Sequence, residues 1–154
     1  MNSKNVLDSL DWKILALLQR NARLTNTEIG KRVGLSQPAV AARINRLEDG
    51  GVIEGYVARI NPKSLGRDIS AVMRLRAAHA RLAQCLKTFE RIPQIIEVYR
   101  ITGEDCLLVK GTFARMSDLE RTVDALSEFG SVTTSIILAS YAPKPLMAET
   151  PLAK

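Results

Sequence analysis

The sequence predicts an α+β chain of two small domains. Three observations carry this reading. Residues 8 to 51 hold three helical apolar stripes with their caps. A polar stretch containing Pro and Gly, residues 61–68 (Asn61-Pro62-Lys63-Ser64-Leu65-Gly66-Arg67-Asp68), then interrupts the pattern. Beyond it, strand-like and helix-like segments follow in the order β-α-β-β-α-β. The expected domains are residues 1–60, the linker 61–68, a second domain over 69–141 and a tail over 142–154.

The first helix is expected from Asp8 to Asn21. Asp8 is placed to cap it, with Leu7 before it as a hydrophobic staple. Leu10, Ile14, Leu17 and Leu18 form the apolar face. Trp12 falls away from that face, as a partner contact or a residue packed at the domain rim. A second, short helix is capped by Thr25 or Asn26 and turns Ile29 and Val33 inward. Gly34 follows, where a helix C-terminus favours left-handed backbone. Ser36 caps a third helix that tolerates Pro38 in its first turn. Val40, Ile44 and Leu47, spaced four and three apart, face the core, and Gly50 and Gly51 end the helix. At about 100° per residue, Pro38, Ala42, Asn45, Arg46 and Asp49 lie on the opposite side, flanked by Gln37 and Arg43. Small residues let a backbone approach a groove, and Asn, Gln and Arg make bidentate contacts to base edges. Arg43 could instead contact phosphate. A solvated amphipathic helix in any helical domain would show the same stripe. Val52 to Ile60 alternates weakly and is expected to form a short β wing, which completes a winged helix-turn-helix.

In the second half, Ile69 to Ala78 reads as a strand, with Ile69, Ala71, Met73, Leu75 and Ala77 alternating against Ser70, Arg74 and Arg76. Leu82, Cys85, Leu86 and Phe89 form a helical stripe that Pro93 ends. Ile95 to Ile101 is strand-like, Thr102-Gly103-Glu104-Asp105 a turn, and Cys106 to Phe113 a strand. Ser117 and Glu120 fit a capping box for a helix that turns Leu119, Val123 and Leu126 inward. Gly130 closes it, and Val132 to Tyr141 is the last strand. This is the ferredoxin-like order. Helices cover one face of such a sheet. The other, taken to present Met73 and Leu75, is expected to pair in a dimer. The tail, with Pro143, Pro145 and Pro151, is expected to be loosely packed.

Composition narrows the function. The chain has 154 residues, 22 of them basic and 16 acidic, for a net charge of +6, a modest excess that suits DNA without requiring it. No apolar run is long enough for a membrane span, and the N-terminus MNSKNVLDSL lacks a signal-peptide core, so a cytoplasmic protein is expected. Cys85 and Cys106 are too few for a zinc site and read as structural thiols; His79 reads as a loop residue. No nucleophile–base pair, metal cluster or phosphate-binding glycine loop is visible, so neither enzyme activity nor a cofactor is expected.

The stretch from Leu7 to about Gly66 resembles, without a gap, the DNA-binding half of the Lrp/AsnC regulators. The residues that carry the resemblance are the LD-x-x-D-x-x-IL opening, the NAR-L-T step, the GLS turn, the R-I-x-R-L-E-x-x-G-x-I stretch and the GY wing. The second half has the matching length and pattern. The resemblance implies a sequence-specific transcriptional regulator on double-stranded DNA, with Thr25, Asn26, Ser36, Gln37, Pro38, Ala42, Arg43, Asn45 and Arg46 at the interface. It also implies an effector-binding domain similar to the amino-acid-binding ACT domain, a homodimer and assembly toward octamers. An amino acid effector would then sit near Thr102, Gly103, Glu104 and Asp105, with Thr134 and Ser135 lining the cleft. Turn amides suit a carboxylate, and Asp105 suits an ammonium group. A plain hairpin turn accounts for the same residues. Cys106 stands where many relatives carry an aromatic residue. The alternative function is an architectural protein that wraps DNA without a ligand.

Overall fold

A computed structural model of the chain describes residues 7–141 and 144–146. These residues divide into two compact units. Residues up to 58 group with 144–146, and residues 59–141 form the other unit.

The first unit is three helices, α1 (Ser9–Arg20), α2 (Asn26–Val33) and α3 (Gln37–Asp49). Each begins on a side-chain cap. Asp8 accepts from the backbone N–H groups of Leu10 and Asp11 at 2.9 and 2.8 Å, and the Asp11 carboxylate in turn accepts from the Asp8 N–H. Thr25 and Glu28 form the same reciprocal box on α2, which settles its start at Asn26. Ser36 caps α3 and Pro38 sits in its first turn. Gly34 takes the expected left-handed conformation, φ 76°. Gly30 was not singled out by its pattern, yet a Cβ there would meet the Leu35 carbonyl oxygen at 2.4 Å. Only glycine lets the turn fold back this tightly onto α2. Ile14, Ile29, Val40 and Ile44 form the core, with Leu17, Leu18, Leu24, Val33, Leu35 and Ile53 packed around it. Burying each such aliphatic side chain contributes about 1.5–3 kcal/mol.

The wing does not form. Residues 52–60 run as a bend and extended chain with no strand pairing, and Val57 and Ile60 are exposed. Weak alternation is insufficient without a neighbouring strand to take the backbone hydrogen bonds. In the tail, Leu146 and Gln19 of α1 exchange two hydrogen bonds, backbone N–H to Oε1 at 2.6 Å and Nε2–H to carbonyl at 2.8 Å. The expectation of a loose tail otherwise falls outside the described residues.

The second unit begins with residues 59–68, which include a single 3₁₀ turn over Pro62–Leu65 capped by Asn61. Next come β1 (Ile69–Ala77), α4 (Leu82–Phe89), β2 (Ile95–Arg100), β3 (Leu107–Phe113), α5 (Met116–Ser127) and β4 (Gly130–Ile136). The sheet order is β2-β3-β1-β4, every neighbouring pair antiparallel, as a βαββαβ unit requires. Ala71, Met73 and Leu75 are fully buried in one cluster with Cys85 and Phe89 of α4, Val109 and Phe113 of β3, and Leu119 and Leu126 of α5.

Two expectations are corrected here. Met73 and Leu75 belong to the helix-covered face, so they are not the open surface. Alternation separates two faces without saying which one the helices take. The open face carries Val72, Arg74 and Arg76 of β1 with Leu108 and Lys110 of β3, Tyr99 and Glu97 of β2, and Thr133 and Ser135 of β4. It is a mixed surface; Lys110 Nζ pairs with Glu97 Oε1 at 2.9 Å. The Ser117–Glu120 capping box is also absent. Helix α5 starts at Met116, so Ser117 lies inside the first turn, and no side chain caps the N-terminus. Asp118 occupies that turn instead and pairs with Arg115 and Arg121.

Candidate DNA interface and effector turn

Helix α3 is held by one face and open on the other. Val40 and Ile44 are buried in one cluster with Ile14 of α1 and Ile29 of α2, and Leu47 is buried as well, while Ser36, Gln37, Pro38, Ala42, Asn45 and Arg46 are exposed. The sequence angle therefore selects the right outward residues. The proline and alanine keep the middle of this strip low, and Gln37 and Asn45 flank it with donors and acceptors. Thr25 and Asn26 lie at the α2 N-terminus, Thr25 exposed and Asn26 half-buried. The Thr25 hydroxyl and backbone N–H both donate to Glu28 Oε2 at 2.8 Å, which holds the Glu28 carboxyl below the usual carboxylate range.

The two arginines of α3 do something the sequence did not indicate. Arg43 donates to Asp8 at 2.6 Å and to Asp11 at 2.8 Å, and Arg46 donates to the other oxygen of Asp11 at 2.7 Å. Asp11 is completely buried. Asp8 and Asp11 thus join the start of α1 to successive turns of α3. The Asp11 backbone N–H and then Arg43 hold the Asp8 carboxyl below its usual range, and the pairing with Asp8 and Asp11 raises Arg43 further. A D-x-x-D capping signal was legible; its partners, 32 to 35 residues away, were not. At the other end of α3, the Tyr56 hydroxyl donates to Glu48 at 2.8 Å; burial first, then Glu48, pushes the phenol up to about 12.

The turn Thr102 to Asp105 joins β2 to β3. Its carboxylates face the open sheet side. Asp105 lies 3.8 Å from the Arg74 guanidinium, and Glu104 pairs with Arg76. The Cys106 N–H donates to the Leu75 carbonyl at 3.0 Å and fixes the turn to β1. Thr134 and Ser135 stand opposite Met73 and Val72, with β1 between them and the turn, and they point to opposite faces. The sheet brings Arg74 and Arg76 to the turn instead, in register with Thr133 and Ser131. Cys85 is buried, and burial chiefly pushes its thiol up to about 11; Cys106 is half-buried and bonded to the Leu75 and Ala77 carbonyls. His79 is exposed in a 3₁₀ turn. Among the described residues, no acidic, His or Cys cluster fits a metal ion, and no helix is long and apolar enough to cross a membrane.

A three-helix core that presents one capped, exposed helix, followed by a separate βαββαβ unit, defines a helix-turn-helix regulator with a ligand-binding domain. The comparisons assign it further: the chain belongs to the Lrp/AsnC family of transcriptional regulators. The AsnC-type helix-turn-helix domain matches residues 7–48, and the Lrp/AsnC ligand binding domain matches residues 70–147. A Bacillus subtilis HTH-type transcriptional regulator, YezC, is 36% identical over 139 residues, which covers 90% of this chain and 99% of that one. The solved structure of B. subtilis LrpC superposes with a TM-score of 0.84 at 27% identity, covering 90% of this chain and 99% of that one. The transcriptional regulator NMB0573 of Neisseria meningitidis, solved as an L-Met complex, gives 0.81 at 30% identity over 95% and 97% of the two chains. The family match favours a regulator over a ligand-free architectural protein.

Proposed function

We propose that this regulator reads its operator in double-stranded DNA with the exposed strip of α3. Gln37 and Asn45 meet base edges, Pro38 and Ala42 permit close approach, and Ser36 with Thr25 and Asn26 approaches the backbone. The observation that supports this is the division of α3 into a buried Val40–Ile44–Leu47 face and an exposed polar face. We further propose that an α-amino acid is the effector and sits at Thr102–Asp105, its ammonium group on Asp105 in place of Arg74. The likeness to a regulator solved with L-Met supports that class of ligand. Thr134 and Ser135 would contribute from a neighbouring subunit, since β1 separates them from the turn within one chain. The open sheet face then serves a homodimer, and dimers assemble toward an octamer. The protein acts in the cytoplasm and has no catalytic activity of its own.

A thermal-shift screen of the twenty amino acids tests the effector directly, since a ligand that binds only the native state raises its stability by mass action. One amino acid should raise the melting temperature in wild type and fail to do so in Asp105→Ala. Equal shifts in both would displace the site from the turn.

A further inference from the structure

The arginines of a DNA-facing helix ordinarily add to the protein's attraction for phosphate. Here their guanidinium groups are already occupied. Asp11 is completely buried at the third position of α1, and both of its oxygens are used. Oδ1 takes Arg43, and Oδ2 takes Arg46 together with the Asp8 N–H. Asp8 takes Arg43 a second time. Two carboxylates at the start of α1 therefore meet two guanidiniums of α3. The two arginines differ in freedom. Arg43 has two acidic partners and its side chain is 24% exposed, whereas Arg46 has Asp11 alone and is 55% exposed. Arg46 is the cation that a change at Asp11 would release, because Arg43 keeps Asp8.

We propose that Asp11 is a positioning residue that withholds Arg46, and with it Arg43, from the DNA. Non-specific phosphate attraction by α3 is thereby kept low, and discrimination falls to the uncharged Gln37, Ala42 and Asn45. This rests on α3 being the DNA-facing helix. A buried carboxylate beside the recognition helix thus acts on specificity through the charge it cancels.

The test is the salt dependence of binding by the full chain to a random-sequence duplex and to an operator. Each phosphate neutralised contributes about −0.9 to the slope of log affinity against log salt. Asp11→Asn preserves shape and frees Arg46. It should steepen the non-specific slope by about one unit and lower the operator-to-random affinity ratio. Arg46→Ala alone should leave the non-specific slope at its wild-type value, and Asp11→Asn combined with Arg46→Ala should return to it. A merely structural role for Asp11 would weaken binding at all salts without this reversal. A flatter slope in Arg46→Ala alone, or an unchanged slope in folded Asp11→Asn, overturns the proposal. If Asp11→Asn does not fold, the Arg46→Ala slope decides the question. Wild type that binds neither duplex at low salt overturns the DNA-facing role of α3 together with this inference.

Discussion

Two of the arginine–aspartate pairings, one at the start of α1 and one at the β2–β3 turn, differ in their surroundings, and the surroundings make them different devices. In the helical unit, Asp11 is completely buried and clamped by Arg43 and Arg46 at 2.7 to 2.8 Å. At the β2–β3 turn, Asp105 sits 3.8 Å from Arg74, and both side chains keep substantial exposure, 27% and 49%. Water competes for the second pair and not for the first carboxylate. Exposed ion pairs contribute about 0–1 kcal/mol, whereas the buried Asp11 carboxylate accepts from two guanidiniums and the Asp8 N–H, and hydrogen bonds to a charged group contribute about 1.5–3 kcal/mol. The first pairing ties α1 to α3; the second leaves both partners open to solvent.

The largest expected effect follows from the buried member. Asp11→Ala should lower the unfolding free energy by about 1.5–3 kcal/mol, the range for hydrogen bonds to a charged group, read by urea denaturation, whereas Asp105→Ala should change it by no more than about 1 kcal/mol. Similar losses at the two sites would erase the distinction. The next effect lies in ligand binding. Asp105→Ala should weaken an amino acid effector by about 1.5–3 kcal/mol, the range for hydrogen bonds to a charged group, with effector-free DNA affinity near wild type. Calorimetry on both proteins measures this, and equal affinities would move the ligand elsewhere.

Smaller effects come from titration. Asp8, Glu28, Glu97 and Asp118 all have carboxyls held below their usual range by hydrogen bonds and cations. Their folded forms bind protons less readily than the unfolded chain. Their stabilisation is therefore complete above the ordinary carboxylate range and is lost as pH falls below about 4. Melting temperatures should hold from neutral pH down to about 5 and then drop; a flat profile to pH 2 would contradict the ion-pair assignments. The smallest effect concerns the thiols. With its pKa near 11 and no exposed surface, Cys85 should resist alkylation at pH 8 until the protein unfolds, while half-buried Cys106 is modified first. Peptide mapping after iodoacetamide treatment distinguishes the two.

Much of this was legible because it is local. Capping residues Asp8, Thr25 and Ser36, the glycine at 34 and the stripe Val40–Ile44–Leu47 each act within a few residues. The βαββαβ order followed from period changes alone. What escaped depends on partners distant in sequence. Asp11 reads as a helix-start residue until α3 is folded against it. The wing needs a paired strand that residues 52–60 do not meet. The strand β1 shows two faces, and only α4 and α5 decide that Met73 and Leu75 go inside. Thr134 and Ser135 are close to Thr133 in sequence, yet alternation sends Thr134 to the other face and β1 holds all three away from the turn.

The most direct test of the reading surface is the ratio of operator to random-sequence affinity for the double variant Gln37→Ala, Asn45→Ala, at one fixed salt concentration. Each lost base contact should reduce discrimination by about 1–3 kcal/mol. The ratio should fall at least about tenfold, since 1.4 kcal/mol is one decade, while random-sequence affinity and melting temperature stay at wild-type values. An unchanged ratio would show that the exposed face of α3 does not read the operator.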